Sequence, residues 1–174
     1  MILGDNYVTL RPLKKEDAPR FVKWLSDPEV NKFTTRKPVT LKENLDWIKG
    51  IPKNKDGITL AIDTQDGTHI GSVGMDVAWR DKKGQFNILI GDKKYWNRGY
   101  GLHASKLILE YVFKKLNFNR VFLVVYVYNP RAIKLYRKLG FKKEGVGRKA
   151  IYYRGAFRDQ ITMGILRNEW LKRK

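Results

Sequence analysis

The sequence predicts an α+β fold, with a central mixed, mostly antiparallel sheet of about seven strands flanked by about four helices. Three observations carry that expectation. Between Ile58 and Ile90, three short apolar runs are separated by Gln65-Asp66-Gly67-Thr68 and Arg80-Asp81-Lys82-Lys83-Gly84. Such turn-rich breaks mark an antiparallel meander. Next, Ala104, Leu107, Ile108, Tyr111, Val112 and Leu116 recur at helical spacing ahead of a second apolar run, Arg120 to Val127. A helix joining two strands makes those strands parallel. Finally, Asn129-Pro130 and Gly140 bracket a short amphipathic stretch as an N-cap, a first-turn proline and a left-handed stop.

The remaining elements follow in order. Asn6 to Leu13 alternates and reads as a half-buried strand ended near Pro12. Phe21, Trp24 and Leu25 share one face of a helix that Pro19 opens and Asp27-Pro28 closes or kinks. Thr40 and Glu43 stand at capping-box distance before a second helix carrying Leu45, Trp47 and Ile48. Strands over about 58–63, 69–77 and 85–90 make the meander, and a helix over about 99–116 follows. Two closing strands, about 142–152 and 157–166, turn at Arg154-Gly155.

With 174 residues and no linker, repeat or low-complexity segment, the chain reads as a single domain, 1–174. It has no cysteine, which excludes disulfides, thiolate metal sites and a thiol nucleophile and fits a reducing compartment. No stretch reads as a signal peptide or a membrane span, so a cytoplasmic protein is the expectation. The formal net charge of +19 favours anionic partners such as nucleic acid, the ribosome or a phosphorylated cosubstrate. A homodimer is left open. His69 and His103 show no metal spacing, and no metal is expected.

The chemistry concentrates around residues 86–104. An apolar strand end, Ile88 to Ile90, leads through a basic loop with Arg98-Gly99-Tyr100-Gly101 into the helix that starts near Leu102. The first N–H groups of a helix lack intrahelical acceptors, and the dipole makes that end positive. Two glycines let a ligand approach the backbone. Arg98, Lys93 and Lys94 add charge, and a pyrophosphate would sit well there. A tight turn with solvated lysines accounts for this loop taken alone.

Taken with Asn129-Pro130-x-Ala132-x-x-x-Tyr136-x-x-x-Gly140-Phe141 at this spacing, the chain resembles the GNAT acyl-CoA-dependent acetyltransferases. It is most similar to their RimJ/RimL-type branch, which includes spermidine N-acetyltransferases. The resemblance extends from Val8-Thr9-Leu10-Arg11 to Tyr153-Arg154-Gly155-Ala156-Phe157-Arg158-Asp159. It implies two central parallel strands that splay into a V holding acetyl-CoA as cosubstrate. It also implies that the backbone of Ile88, Leu89 and Ile90 pairs with the pantetheine amides. Arg98, Gly99, Tyr100, Gly101 and Leu102 would bind the pyrophosphate, and Asn129 and Lys138 the rest of the carrier. N-capping by itself explains Asn129, and a solvated helix face explains Lys138.

The implied reaction is direct transfer of acetyl to a primary amine of a protein N-terminus or a small molecule. A backbone N–H near Leu89 would stabilise the oxyanion. Tyr136, with a free-phenol pKa of about 10, would return a proton to the thiolate. Gln85 departs from a glutamate common in relatives. The amine therefore loses its proton to another base, for which Asp76 is the candidate, or to bulk solvent. Phe33, Trp47, Gln85 and Tyr152 are the candidate acceptor contacts. A polyamine would need a carboxylate cluster, for which only Glu43, Asp46 and Asp76 are available. The competing expectation is a basic nucleic-acid- or ribosome-associated module on the same fold, with weak or no catalysis.

Overall fold

The computed structural model describes residues 1–34 and 38–173. Its strands are β1 (Leu3–Gly4), β2 (Val8–Pro12), β3 (Gly57–Thr64), β4 (His69–Ala78), β5 (Lys83–Ile90), β6 (Arg120–Tyr126), β7 (Lys142–Tyr153) and β8 (Ala156–Leu166). They form one sheet in the order β1-β2-β3-β4-β5-β6-β8-β7. The helices are α1 (Ala18–Ser26), α2 (Pro28–Asn31), α3 (Leu41–Gly50), α4 (Tyr100–Glu110), α5 (Pro130–Leu139) and α6 (Arg167–Leu171). The seven expected strands are present. The eighth is the two-residue β1, too short to leave a periodic signal.

The chain divides into two compact units, Met1–Asp76 with Asn87–Leu109, and Val77–Phe86 with Glu110–Lys174. In the first, β2 and β3 pair antiparallel, as do β3 and β4. Alternation buries Val8 and Leu10 while Tyr7 stays exposed. Beside this sheet, α1 buries Phe21, Trp24 and Leu25. Trp24 lies so close over Gly91 that an added Cβ there would stand 2.1 Å from its ring. Arg11 donates to Asp17 at 2.8 Å and to Asp63 at 2.6 Å, and His69 stands 3.2 Å from Asp17. Burial pushes the His69 pKa down, against the pull of Asp17. His69 is thus a buried structural residue. The Thr40 cap forms as expected, with the Glu43 N–H donating to Oγ1 at 3.2 Å and the Thr40 N–H to Glu43 Oε2 at 2.7 Å.

In the second unit, β6, β8 and β7 pair antiparallel. The parallel ladder between β5 and β6 consists of Lys83↔Arg120, Gly84↔Val121 and Gln85↔Phe122. No described residue beyond Gln85 on β5 or Phe122 on β6 takes part in it. The helix expected to reach Leu116 instead ends as α-helix at Glu110 and widens into a π-turn over Tyr111–Lys115. Leu116 N–H reaches back five residues to the Tyr111 carbonyl at 3.2 Å. Trp79 is 47% exposed with an edge on Phe118. No helix of the described chain is long and apolar enough to cross a membrane.

Candidate active site

The candidate residues of the first unit lie on the end of β5 and the loop after it. Asp92 Oδ1 accepts the Lys94 N–H at 3.0 Å and starts the loop as a tight turn. Trp96 follows in the loop, and its indole Nε1–H donates to the Ile90 carbonyl at 2.7 Å. That bond ties loop to strand and corrects one expectation. The Ile90 carbonyl is already engaged, so the backbone of Ile88 to Ile90 is not wholly free for a pantetheine arm. Lys93 is another correction. Its ammonium bridges Asp27 at 2.7 Å and Glu29 at 3.0 Å, so its charge is spent inside the protein.

The loop then takes left-handed conformations at Asn97 (φ 60°) and Gly99 (φ 88°), on either side of Arg98. Alternation of this kind turns successive N–H groups toward one concavity, an anion-binding nest. The Gly99 carbonyl accepts from Leu102 N–H at 2.9 Å and His103 N–H at 3.1 Å, opening α4. Among the described residues, no backbone acceptor meets the N–H groups of Arg98, Gly99, Tyr100 or Gly101. This donor set suits the pyrophosphate of a coenzyme A thioester. Leu102 is the exception among the five expected donors, since its N–H is already used.

Leu89 packs with Trp47 against the buried cluster of Phe21, Trp24 and Val30. Its carbonyl is fixed over Gly71, where an added Cβ would stand 2.0 Å from the oxygen. Trp47 meets Phe21 edge-on with centroids 5.4 Å apart, so it acts as a packing residue at least on that side. Phe33 lies under the Lys32 ammonium, 4.9 Å from the ring centroid. Asp76 is exposed and sits opposite Gly57 in the ladder.

In the second unit, Asn129 Oδ1 accepts the Ala132 N–H at 3.1 Å and caps α5. The cap consumes that oxygen, while Nδ2 meets no acceptor among the described residues. Gly140, at φ 94°, ends the helix, and Arg173 Nη2 donates to the Lys138 carbonyl at 2.8 Å, placing a cation at its negative end. Lys138 and Gln85 are exposed. Tyr136 is 8% exposed, edge-on to Phe86 at 6.1 Å and Phe141 at 5.9 Å. Its hydroxyl has no hydrogen-bond partner among the described residues. Burial pushes its pKa up to about 12. The balanced transfer expected from a free phenol is therefore corrected, because the hydroxyl is a weaker acid that stays protonated further into the alkaline range.

Tyr152 is 66% exposed on the β7–β8 hairpin and edge-on to Phe157 at 5.2 Å. Nearby, an open cavity of about 400 Å³ is lined by Val127, Tyr128, Tyr153, Arg154 and Arg158. Tyr128 stacks on Tyr126 at 5.1 Å and on Tyr153 at 4.5 Å. Sequence reasoning missed Tyr128, which follows the β6 run without a motif of its own. It also missed Asn97, which its tolerance of positive φ beside a Gly-x-Gly could have revealed. Among the described residues, no group of three His, Asp or Glu side chains could hold a metal ion.

Loop N–H groups without backbone acceptors at a glycine turn into α4, and an Asn-Pro helix carrying a buried tyrosine, are what an acyl-CoA-dependent acyltransferase is expected to carry. Residues 8–142 match the acetyltransferase (GNAT) domain, and the chain belongs to that family. The spermidine N(1)-acetyltransferase of Escherichia coli (strain K12) is 29% identical over 166 residues, covering 94% of this chain and 88% of the relative. An uncharacterized N-acetyltransferase, YokL, derived from the SPbeta prophage of Bacillus subtilis (strain 168), is 27% identical over 168 residues, covering 96% and 93%. The crystal structure of spermidine N-acetyltransferase from Vibrio cholerae in complex with CoA and spermine superposes with a TM-score of 0.89. It covers 97% of this chain and all of that one at 22% identity, and so speaks for the fold. The protein is an acetyl-CoA-dependent N-acetyltransferase that acts on an amine.

Proposed function

We propose that the acceptor is a primary amine on a neutral or anionic molecule, either a protein N-terminus or a small-molecule amine, rather than a polyamine. One observation carries this reading: the cavity beside the β7–β8 hairpin presents Arg154 and Arg158 and no carboxylate. The acidic side chains of the first helices support it, because they already have partners. Asp27 and Glu29 hold Lys93, Glu43 caps α3, and Asp46 faces Lys49 at 3.7 Å. Between Val30 and Lys42 the sequence has no acidic residue and three cations, Lys32, Arg36 and Lys37. Arg36, Lys37 and Thr35 lie outside the described residues. A polyamine would meet repulsion there that an anionic acceptor would not.

Each candidate residue then has a role. The N–H groups of Arg98, Gly99, Tyr100 and Gly101 take the pyrophosphate, and Leu89 N–H meets the developing oxyanion. Asn129, through Nδ2, and Lys138 hold the coenzyme arm. Tyr136 keeps a proton ready for the thiolate. Phe33, Trp47, Gln85 and Tyr152 border the acceptor. Asp76, exposed on β4, takes the amine proton or leaves it to solvent. On this reading the chain is a single cytoplasmic acetyltransferase domain of the RimJ/RimL-type branch. The names of its relatives point instead to spermidine, which the test must include.

The test is release of free thiol from acetyl-CoA with spermidine, spermine, amino sugars, amino acids and peptides of graded acidity. The reading expects an acidic or neutral acceptor to give the highest kcat/KM, at least tenfold above spermidine. Spermidine as the best acceptor overturns it. RNA binding that falls steeply with salt, without turnover of any amine, would favour the nucleic-acid alternative.

A further inference from the structure

The loop that takes the pyrophosphate is held from outside by the start of the chain. The Tyr7 hydroxyl donates to the Arg98 carbonyl at 2.7 Å, across 91 residues of sequence. The Tyr7 ring stacks on the His103 imidazole, with centroids 4.3 Å apart and planes 14° from parallel, and leans on Tyr100 at 5.0 Å. His103 is fixed in turn, with Nδ1 2.7 Å from Asp5 Oδ2. The other Asp5 oxygen accepts the N–H groups of Tyr7 at 2.7 Å and Val8 at 2.9 Å. Gln65 Nε2 donates to the Asp5 carbonyl at 2.7 Å. Asp5, Tyr7 and His103 therefore form one connected set of contacts, which meets the loop through the Tyr7 side-chain hydrogen bond to Arg98 as well as through Tyr100 and the His103 N–H.

The position of that bond gives it a function. The Arg98 carbonyl and the Gly99 N–H belong to one planar trans peptide, in which C=O and N–H point in opposite directions. Glycine at φ 88° has little intrinsic preference for one orientation of this plane. Drawing the carbonyl toward Tyr7 aims the Gly99 N–H the opposite way, and that N–H is one of the donors without an acceptor. We propose that Tyr7, steadied by Asp5 and His103, is a positioning residue for acetyl-CoA: it holds the Arg98–Gly99 peptide in the orientation that accepts the pyrophosphate. The hydroxyl touches no reacting atom. It removes a conformational choice that the loop would otherwise make at the moment of binding, and preorganisation of this kind appears in affinity.

The test is Tyr7→Phe, which keeps the ring stack and removes the one donor. Calorimetry with CoA on the intact protein should show Kd raised about fivefold to tenfold, the effect of one hydrogen bond. The ratio of kcat/KM for acetyl-CoA to that for acetyl-pantetheine, which lacks the pyrophosphate, should fall by a similar factor. His103→Phe retains stacking but loses Asp5, and should give a smaller rise in Kd. Gly99 amide exchange in the CoA complex should be faster in Tyr7→Phe than in the wild type. A Kd within twofold of wild type overturns the proposal. So does an equal loss with both donors, which would make Tyr7 a fold residue and not a positioning one.

Discussion

The loop before α4 and the helix α5 hold two of the groups of candidate residues, and they are built from different materials. The loop offers backbone. Its donors are the N–H groups of Arg98 to Gly101, aimed by positive φ at Asn97 and Gly99. In α5 the candidate is a side chain, a tyrosine whose ring stands edge-on to Phe86 and Phe141. Backbone donors survive a change of side chain, provided the chain can still adopt the dihedrals. A hydroxyl does not survive its own removal. The loop should therefore tolerate changes in identity but not in conformation, and α5 the reverse.

Four experiments could break or sharpen that contrast. The largest effect belongs to Tyr136→Phe. Loss of a general acid should lower kcat by about 100-fold to 1,000-fold, with the CoA Kd from calorimetry little changed. A loss below fivefold would mean that the thiolate takes its proton elsewhere. Next, Gly99→Ala forces a Cβ into the left-handed region, at a cost of about 1–2 kcal/mol, or roughly a tenfold rise in CoA Kd. The new Cβ would stand 3.6 Å from Tyr7, an ordinary contact, so the penalty is backbone strain and not crowding. Third, Arg98→Ala keeps the N–H and removes only an exposed charge. Its Kd should rise about threefold at low salt and return to the wild-type value at high salt. A tenfold or greater loss would show that the loop depends on that side chain after all. The smallest effect is one of pH. Because burial lifts the Tyr136 pKa to about 12, its protonated form persists above pH 10. The kcat profile should therefore show no alkaline fall near the free-phenol value. A fall centred near pH 10 that vanishes in Tyr136→Phe would show that binding exposes the phenol.

Punctuation made most of the fold legible. Asn129-Pro130, Gly140, Thr40 with Glu43, and Arg154-Gly155 each occur where the structure puts a cap or turn. Local residue chemistry sets these features, and a sequence carries it directly. The π-turn at Tyr111–Lys115 was not legible, because the side-chain period on both sides of it is helical. At the candidate site, the Gly-x-Gly and Asn-Pro motifs stand where α4 and α5 begin. What they could not show was competition for the same groups. Lys93 is claimed by Asp27 and Glu29, the Ile90 carbonyl by Trp96, and the Arg98 carbonyl by Tyr7. Each of these partners is distant in sequence or arrives only after a turn. No periodicity encodes such pairings, and the raised Tyr136 pKa, which depends on burial, was hidden for the same reason.

The close fit at Gly71, Gly74 and Gly91 bears on engineering. An added methyl group would stand 2.0 Å from the Leu89 oxygen, 2.5 Å from the Ile58 oxygen and 2.1 Å from Trp24, respectively. Directed evolution toward a new acceptor should therefore hold these three codons constant and spend its diversity on the hairpin tip around Tyr152 and Phe157, where side chains face open solvent.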